Sequence, residues 1–301
     1  MVENIVLTNK VTGKVLELDV TTTPYYILDN VTWGEINSKH HSYKYVNQIG
    51  VLVTGTTLET RDDIQIVGWV IAKTEAQMDS RKKMLNGFVN PQWPIELKYK
   101  DYILEFLPST TIKYSAILAE NNEVMCKFKI PGMAPDPLFK KNIQRREAAA
   151  ITTGRFHFPL VISKSPQKPP QILFGVRQPS LIVNVYNRGD VATGMTIVFK
   201  AMGTVVNPSL ISVTTQEYFK INKTLAPGEI VTVNTVIGSK KITGSLNGVE
   251  SNYFKYRDFG NTWLQLKVGD NLFRYDAESN IDGLEVYIYF YDRYLEVQGC
   301  Y

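Results

Sequence analysis

The sequence predicts a mainly β protein in two parts: an N-terminal β-rich domain, split-barrel or sandwich-like with one packed α-helix, then a C-terminal antiparallel β-sandwich. Three observations carry that expectation. Apolar and polar residues alternate over many short runs bounded by turn residues, the signature of half-buried strands. A single stretch, residues 74–88, switches to helical spacing. Prolines at Pro131, Pro135 and Pro137 break the alternation near mid-chain, placing a first domain over residues 1–137 and a second over 138–301. A chain of 301 residues also exceeds the ~100–200 residues of a common domain.

The N-terminal part opens with a hairpin over residues 4–20 that turns at Thr12-Gly13. Tyr25-Tyr26-Ile27-Leu28 reads as another strand, followed by the turn-prone Asp29-Asn30. Residues 34–48 are polar and fit either a long loop or an extended arm. Tyr43 and Tyr45 within them imply that one side is covered by something. Residues 63–73, dense in branched side chains, form a well-buried strand, with Asp62-Asp63 at its solvated start. In the helix that follows, Thr74 and Gln77 fit a capping box. Met78, Leu85 and Phe88 supply the apolar stripe and Met84 widens it. Arg81, Lys82 and Lys83 lie toward the C-terminal half, where cations suit the helix dipole. Gly87, Pro91 and Pro94 mark the stop. Residues 95–107 read as a hairpin about Lys100-Asp101, and 111–118 and 123–130 as strands around Asn121-Asn122.

Residues 138–180 form a linker region. Within it, residues 145–150 suggest a short helical turn, Phe156-His157-Phe158-Pro159-Leu160 an edge strand, and Pro166, Pro169 and Pro170 a loop. From Ser180 onward the pattern is nearly all β. Its turns fall at Asn187-Arg188-Gly189-Asp190, Ala226-Pro227-Gly228-Glu229, Gly238-Ser239 and Gly269-Asp270-Asn271. The last run sets Leu284, Val286, Ile288 and Phe290 on one face and Tyr287, Tyr289 and Tyr291 on the other.

Chemistry is sparse. The net charge of +4 comes in short runs such as Arg81-Lys82-Lys83 and Lys240-Lys241, without the stripe of a nucleic-acid binder. Cys126 and Cys300 form neither a disulfide framework nor a CxxC zinc pair. The three histidines, His40, His41 and His157, read as surface or packing residues. HExxH, GxSxG and phosphate-loop motifs are missing. Acids such as Glu217, Glu229, Asp258, Asp276, Asp282 and Glu285 are scattered, several beside turns, and do not read as a catalytic pair. Asp62-Asp63 lacks the spacing of a calcium loop. Trp263, Tyr253, Tyr256 and Tyr275 could form a sugar platform, but core and inter-sheet packing is the simpler reading. No catalytic, cofactor or metal residues are expected, and the chain reads as a structural protein rather than an enzyme. With neither a signal peptide nor an apolar run of spanning length in the sequence, synthesis and folding in a cytoplasm are expected, followed by incorporation into a larger particle.

Four stretches give the chain a family resemblance: Gly68-Trp69-Val70 leading into the helix; Met133-Ala134-Pro135-Asp136-Pro137-Leu138-Phe139; Asn187-Arg188-Gly189-Asp190 through Phe199, then Gly203 and Asn207-Pro208; and Leu225-Ala226-Pro227-Gly228-Glu229 with Lys240-Lys241, Asn252-Tyr253-Phe254 and residues 266–271. In their order and spacing it resembles the distal tail proteins of long-tailed, non-contractile bacteriophages of Gram-positive hosts. The resemblance implies a ring-forming N-terminal domain, six copies per ring, and an outward-projecting galectin-like sandwich. It also implies a place at the virion tail tip, after synthesis in the bacterial host cytoplasm. There the ring would join the tail tube and tape-measure end to a hub or fibre protein and hold receptor-binding proteins, with DNA passing through its lumen. Ring closure needs unlike faces to meet. The candidate interface is therefore Tyr43 and Tyr45 on the arm and Met78, Arg81, Lys82, Lys83 and Met84 on the helix. A basic lumen is disfavoured, since a DNA passage suits acidic walls. A galectin-type sugar site needs a cluster containing His, and the second half has only His157, ahead of the sandwich, so no sugar binding is expected. The alternative function is a carbohydrate-binding or adhesion module on a β-sandwich.

Overall fold

The computed structural model describes residues 4–20, 25–46, 49–117, 120, 124–148, 151–154, 175–178 and 182–297. His157, Cys300 and the edge strand expected at Phe156-His157-Phe158-Pro159-Leu160 lie outside the described residues. The chain divides into two compact units, Met1–Asn142 with Tyr294–Tyr301, and Ile143–Arg293.

The first unit contains β1 (Asn4–Asn9), β2 (Val15–Asp19), β3 (Tyr26–Thr32), β4 (Glu35–Tyr43), β5 (Leu52–Ile71), α1 (Glu75–Phe88), β6 (Ile95–Tyr99), β7 (Tyr102–Pro108), β8 (Lys113–Tyr114), β9 (Met125–Ala134) and β10 (Phe139–Lys141). Seven strands run in the order β7-β6-β1-β2-β3-β5-β9, and β9 returns to β7 through Leu107↔Met133 and Pro108↔Gly132, closing a barrel. Closure leaves these strands few open edges. Alternate residues point inward, among them Ile5, Leu7, Ile64, Ile66, Leu104, Phe106, Phe128 and Ile130, all buried. β10 extends the sheet from β7, and the short strand Arg293–Tyr294 follows it, with Tyr294 edge-on to Tyr102 at 5.5 Å.

Helix α1 keeps the cap that its sequence predicts, shifted by one residue on the return leg. Thr74 Oγ1 accepts from the Gln77 N–H at 3.4 Å, while Gln77 Oε1 accepts from the N–H of Lys73 at 3.2 Å. Met78, Leu85 and Phe88 enter the barrel's core. Asn9 ties off the far end: its Nδ2 donates to the Phe88 carbonyl at 2.8 Å, and its Oδ1 accepts from Val11 and Thr12. One buried side chain thus holds a helix end and a hairpin turn together.

One open expectation is decided here and two are corrected. Within residues 34–48, Glu35–Tyr43 form β4, which pairs with the first half of β5, the extended arm rather than the loop. Asp62-Asp63 does not open a strand but lies inside β5, at a register shift against β9 where Asp63 takes φ +56°. Pro131 does not end β9, which continues to Ala134. Pro131 sits beside that irregularity, the kind of place where a ladder tolerates a residue without N–H.

The second unit contains β11 (Arg145–Ala148), β12 (Ile151–Gly154), β13 (Gly175–Gln178), β14 (Ile182–Asn187), β15 (Thr193–Ala201), β16 (Val205–Val206), β17 (Ser209–Ser212), β18 (Tyr218–Lys220), β19 (Thr224–Leu225), β20 (Ile230–Asn234), β21 (Lys241–Leu246), β22 (Val249–Asn252), β23 (Gln265–Leu266), β24 (Gly269–Asp276) and β25 (Leu284–Phe290). One sheet runs β11-β25-β15-β20-β21-β22 and another β14-β24-β17-β18, with β12–β13 and β16–β19 as separate pairs. Side chains of both larger sheets share one core, including Val185, Leu210, Phe219 and Phe273 from one and Ile197, Phe199, Val231 and Ile288 from the other. The unit is therefore sandwich-like.

Two corrections fall in this unit. Residues 145–148 form β11, not a helical turn: pairing with β25 places Arg145 over the Phe290 ring and Arg146 over Tyr287, and these contacts override local helix propensity. Gly269-Asp270-Asn271 opens β24 rather than forming a turn, with only Gly269 at positive φ.

Candidate assembly surfaces

β5 is 20 residues long, about 66 Å at the usual rise. Its second half, from Arg61, alternates buried and half-buried in the barrel wall. Its first half is almost wholly exposed and, among the described residues, pairs only with β4, itself exposed along nearly its whole length. The result is a two-stranded arm that leaves the barrel. Its stem is polar: His40 Nδ1 lies 2.8 Å from Thr56 Oγ1, His41 Nε2 lies 3.3 Å from Thr57 Oγ1, and Lys39 faces Glu59 at 3.9 Å. Both histidines are thus engaged with cross-strand threonines. The tip is apolar. Tyr43 and Tyr45 meet edge-to-face at 4.7 Å, and Val46, Ile49, Val51, Leu52 and Val53 are exposed beside them. An isolated two-stranded ribbon is marginal in water, and a contiguous apolar tip marks a contact surface.

The base of the arm is fixed by Arg61, whose side chain is fully buried. Its Nε donates to the Pro137 carbonyl at 2.9 Å, Nη1 to Trp33 and Gly34 carbonyls at 3.4 and 3.3 Å, and Nη2 to the Leu295 carbonyl. Glu296 Oε1 stands 3.5 Å from Nη1, and the Phe139 ring lies 4.8 Å from the guanidinium carbon. Burial pulls the Arg61 pKa down and Glu296 works against that shift; arginine keeps its charge in such settings.

The structure splits the basic run of α1. Arg81 is partly buried: it donates to the Ile71 carbonyl and stacks 4.0 Å over Tyr25, while its own carbonyl accepts from Tyr26 OH at 3.1 Å. Lys82 lies 5.3 Å over Tyr114, whose hydroxyl donates to Lys82 O and lies 2.9 Å from Asn86 Oδ1. Both residues fasten the helix to the barrel. Met78 is buried in this chain's own core, whereas Lys83 and Met84 are exposed. Met84, with Lys14, Val15, Leu16, Tyr26, Leu85 and Phe88, lines a largely apolar cleft of about 210 Å³ between α1 and β2.

In the second unit Glu229 is fully buried, an environment its sequence position beside a turn did not reveal. It takes bonds from Lys223 Nζ (2.7 Å), Tyr253 OH (2.7 Å) and the Ala226 N–H (2.9 Å). Burial alone would raise its pKa, but these three donors outweigh burial and hold the carboxyl below the usual glutamate range. The same bond, with burial, pushes Tyr253 up to about 12. The Glu229 carboxylate itself is buried. Of the aromatics considered as sugar platforms, Tyr275 is buried, and Tyr253, Tyr256 and Trp263 pack partly buried against the core. Among the described residues no cluster of His, Cys, Asp or Glu could hold a metal ion, and no helix is long and apolar enough to cross a membrane.

With this geometry in place, residues 188–294 match the siphovirus-type tail component, C-terminal domain. That match covers about a third of the chain. Its fold follows that of SPP1 Dit, a protein described as a paradigm of hub adsorption apparatus in Gram-positive infecting phages. The TM-score is 0.65 at 13% identity, over 96% of this chain and 98% of that one. A chain of the phage P2 baseplate in its activated conformation with Ca gives a TM-score of 0.50 at 9% identity, over 98% and 99% of the two chains. At these identities the likeness shows the fold. A comparison with curated proteins gives no match.

Proposed function

We propose that this protein is a structural component of the phage tail tip, a ring that joins the tail tube to the hub or fibre protein. The observation that carries this reading is the agreement in fold with SPP1 Dit along nearly the whole of both chains, together with the siphovirus-type domain at residues 188–294. The action is mechanical, not catalytic. In this reading residues 1–137 build the ring and 138–301, a sandwich of galectin-like architecture without a sugar site, project outward. Six copies close the ring around a lumen through which DNA passes, and the ring meets the tape-measure end and receptor-binding proteins.

Ring closure requires a head-to-tail contact between unlike faces. The arm tip, with Tyr43 and Tyr45, supplies one face. The exposed side of α1, with Lys83, Met84 and the apolar cleft beside Leu16, supplies the other. Arg81, Lys82 and Met78 support that second face from beneath. Mass measurement in solution tests the ring: six copies of the 34.2 kDa chain give about 205 kDa. Antibody against the protein should also decorate tail tips of intact particles. A monomer at every concentration, with no label at the tip, would overturn the proposal.

A further inference from the structure

We propose that Arg61 is the latch that sets the direction of the β4–β5 arm, and that the chain segment 295–297 closes it. The inference rests on the arm being the assembly element described above. At the point where β5 leaves the barrel, the ladder with β9 slips between Arg61 and Ile64, and Asp63 adopts φ +56°. Regular strand pairing therefore does not carry the barrel's geometry into the arm. Arg61 stands at that break. Its guanidinium donates to backbone carbonyls on three separate segments: Trp33 and Gly34 at the foot of β4, Pro137 ahead of β10, and Leu295.

A guanidinium taken wholly out of water persists only where its rigid fork of donors is satisfied. Here four carbonyls and the Glu296 carboxylate do so. The closing segment is seated, since Tyr294 just before it and Val297 at its end are buried in the barrel's core. The two arm strands are also pressed together at the base. Gly34 has φ +71°, a Cβ there would overlap the Asp62 carbonyl oxygen, and Asn37 donates to the Asp62 carboxylate. The arm consequently moves as one ribbon about this point, and the latch decides where the ribbon points. A lysine, with a compact ammonium, cannot bridge three segments at once.

Spin labels read the arm's direction. One is placed at Lys44→Cys on the arm and one at Glu17→Cys on the barrel, in the 301-residue chain carrying Cys300→Ser, whose Cys126 is buried. The unaltered latch should give one narrow distance distribution. Arg61→Lys, and separately a chain ending at Tyr294, should each broaden it about twofold while the barrel stays folded, and combining them should add little because they open one network. A folded truncated protein with a narrow distribution overturns the latch, and so do independent, multiplying effects. If Arg61→Lys fails to fold, the truncated chain decides alone. Oligomer mass, measured on the same samples, keeps the two readings apart. A broadened arm in a ring that still closes refutes the assembly role and leaves the latch standing. A lost ring with a narrow arm does the reverse.

Discussion

At the residue scale, Glu229 shows how a polar group survives inside a sandwich. Its carboxylate is held by an ammonium, a phenol and a backbone amide, so its charge is worth keeping only while all three donors are present. Glu229→Gln should destabilise the second unit by about 2–3 kcal/mol, because Lys223 and Tyr253 lose an ionised acceptor; urea unfolding near neutral pH measures this. The pH dependence follows from the lowered folded pKa. The Glu229 contribution is present above the ordinary glutamate value, about 4.3, and is lost as pH falls through the lower folded value. The wild-type unit should therefore lose stability across that acid range more steeply than Glu229→Gln. Tyr253→Phe, which removes one donor, should cost about 1 kcal/mol, and the two changes should combine to less than their sum.

At the element scale, α1 and the arm call for different tests. Thr74→Ala removes the helix cap and should cost about 1 kcal/mol, seen as a lower melting temperature of the isolated chain. Replacing Tyr43, Tyr45 and Ile49 by Ser should leave that melting temperature nearly unchanged, within about 0.5 kcal/mol, because the tip is exposed in the single chain. The same variant should fail to assemble, which sedimentation would show. The elements also mark what the sequence made legible. The helix, its cap and the β25 face carrying Leu284, Val286, Ile288 and Phe290 were readable because their periodicity is local. The helical turn expected at residues 145–150 failed because β25, far along the chain, supplies the pairing and the rings that hold β11 extended. The arm's strand character was hidden for a related reason: with both faces exposed, β4 shows no alternation to read. Arg61 was missed altogether. Its partners lie 27 to 235 residues away, and an arginine in a strand carries no local sign of burial.

At the scale of the whole molecule, the proposed ring rests on two unlike faces, and that asymmetry makes a sharper prediction than mass alone. Take one variant with the arm tip disabled (Tyr43, Tyr45 and Ile49 to Ser) and a second with the α1 face disabled (Lys83→Glu with Met84→Glu). Each alone should remain monomeric, because every contact needs one arm and one helix face. Mixed together, the second variant's intact arm can dock on the first variant's intact helix face, but both outer faces of the resulting pair are dead. The mixture should stop at a dimer of about 68 kDa, twice the 34.2 kDa chain, and never reach the ring. An arm-to-arm contact would be isologous and give a different result: the α1 variant would dimerise by itself, and adding the arm variant would change nothing. Equilibrium sedimentation of the two variants, separately and mixed, distinguishes these cases and identifies which surfaces of the N-terminal unit close the ring.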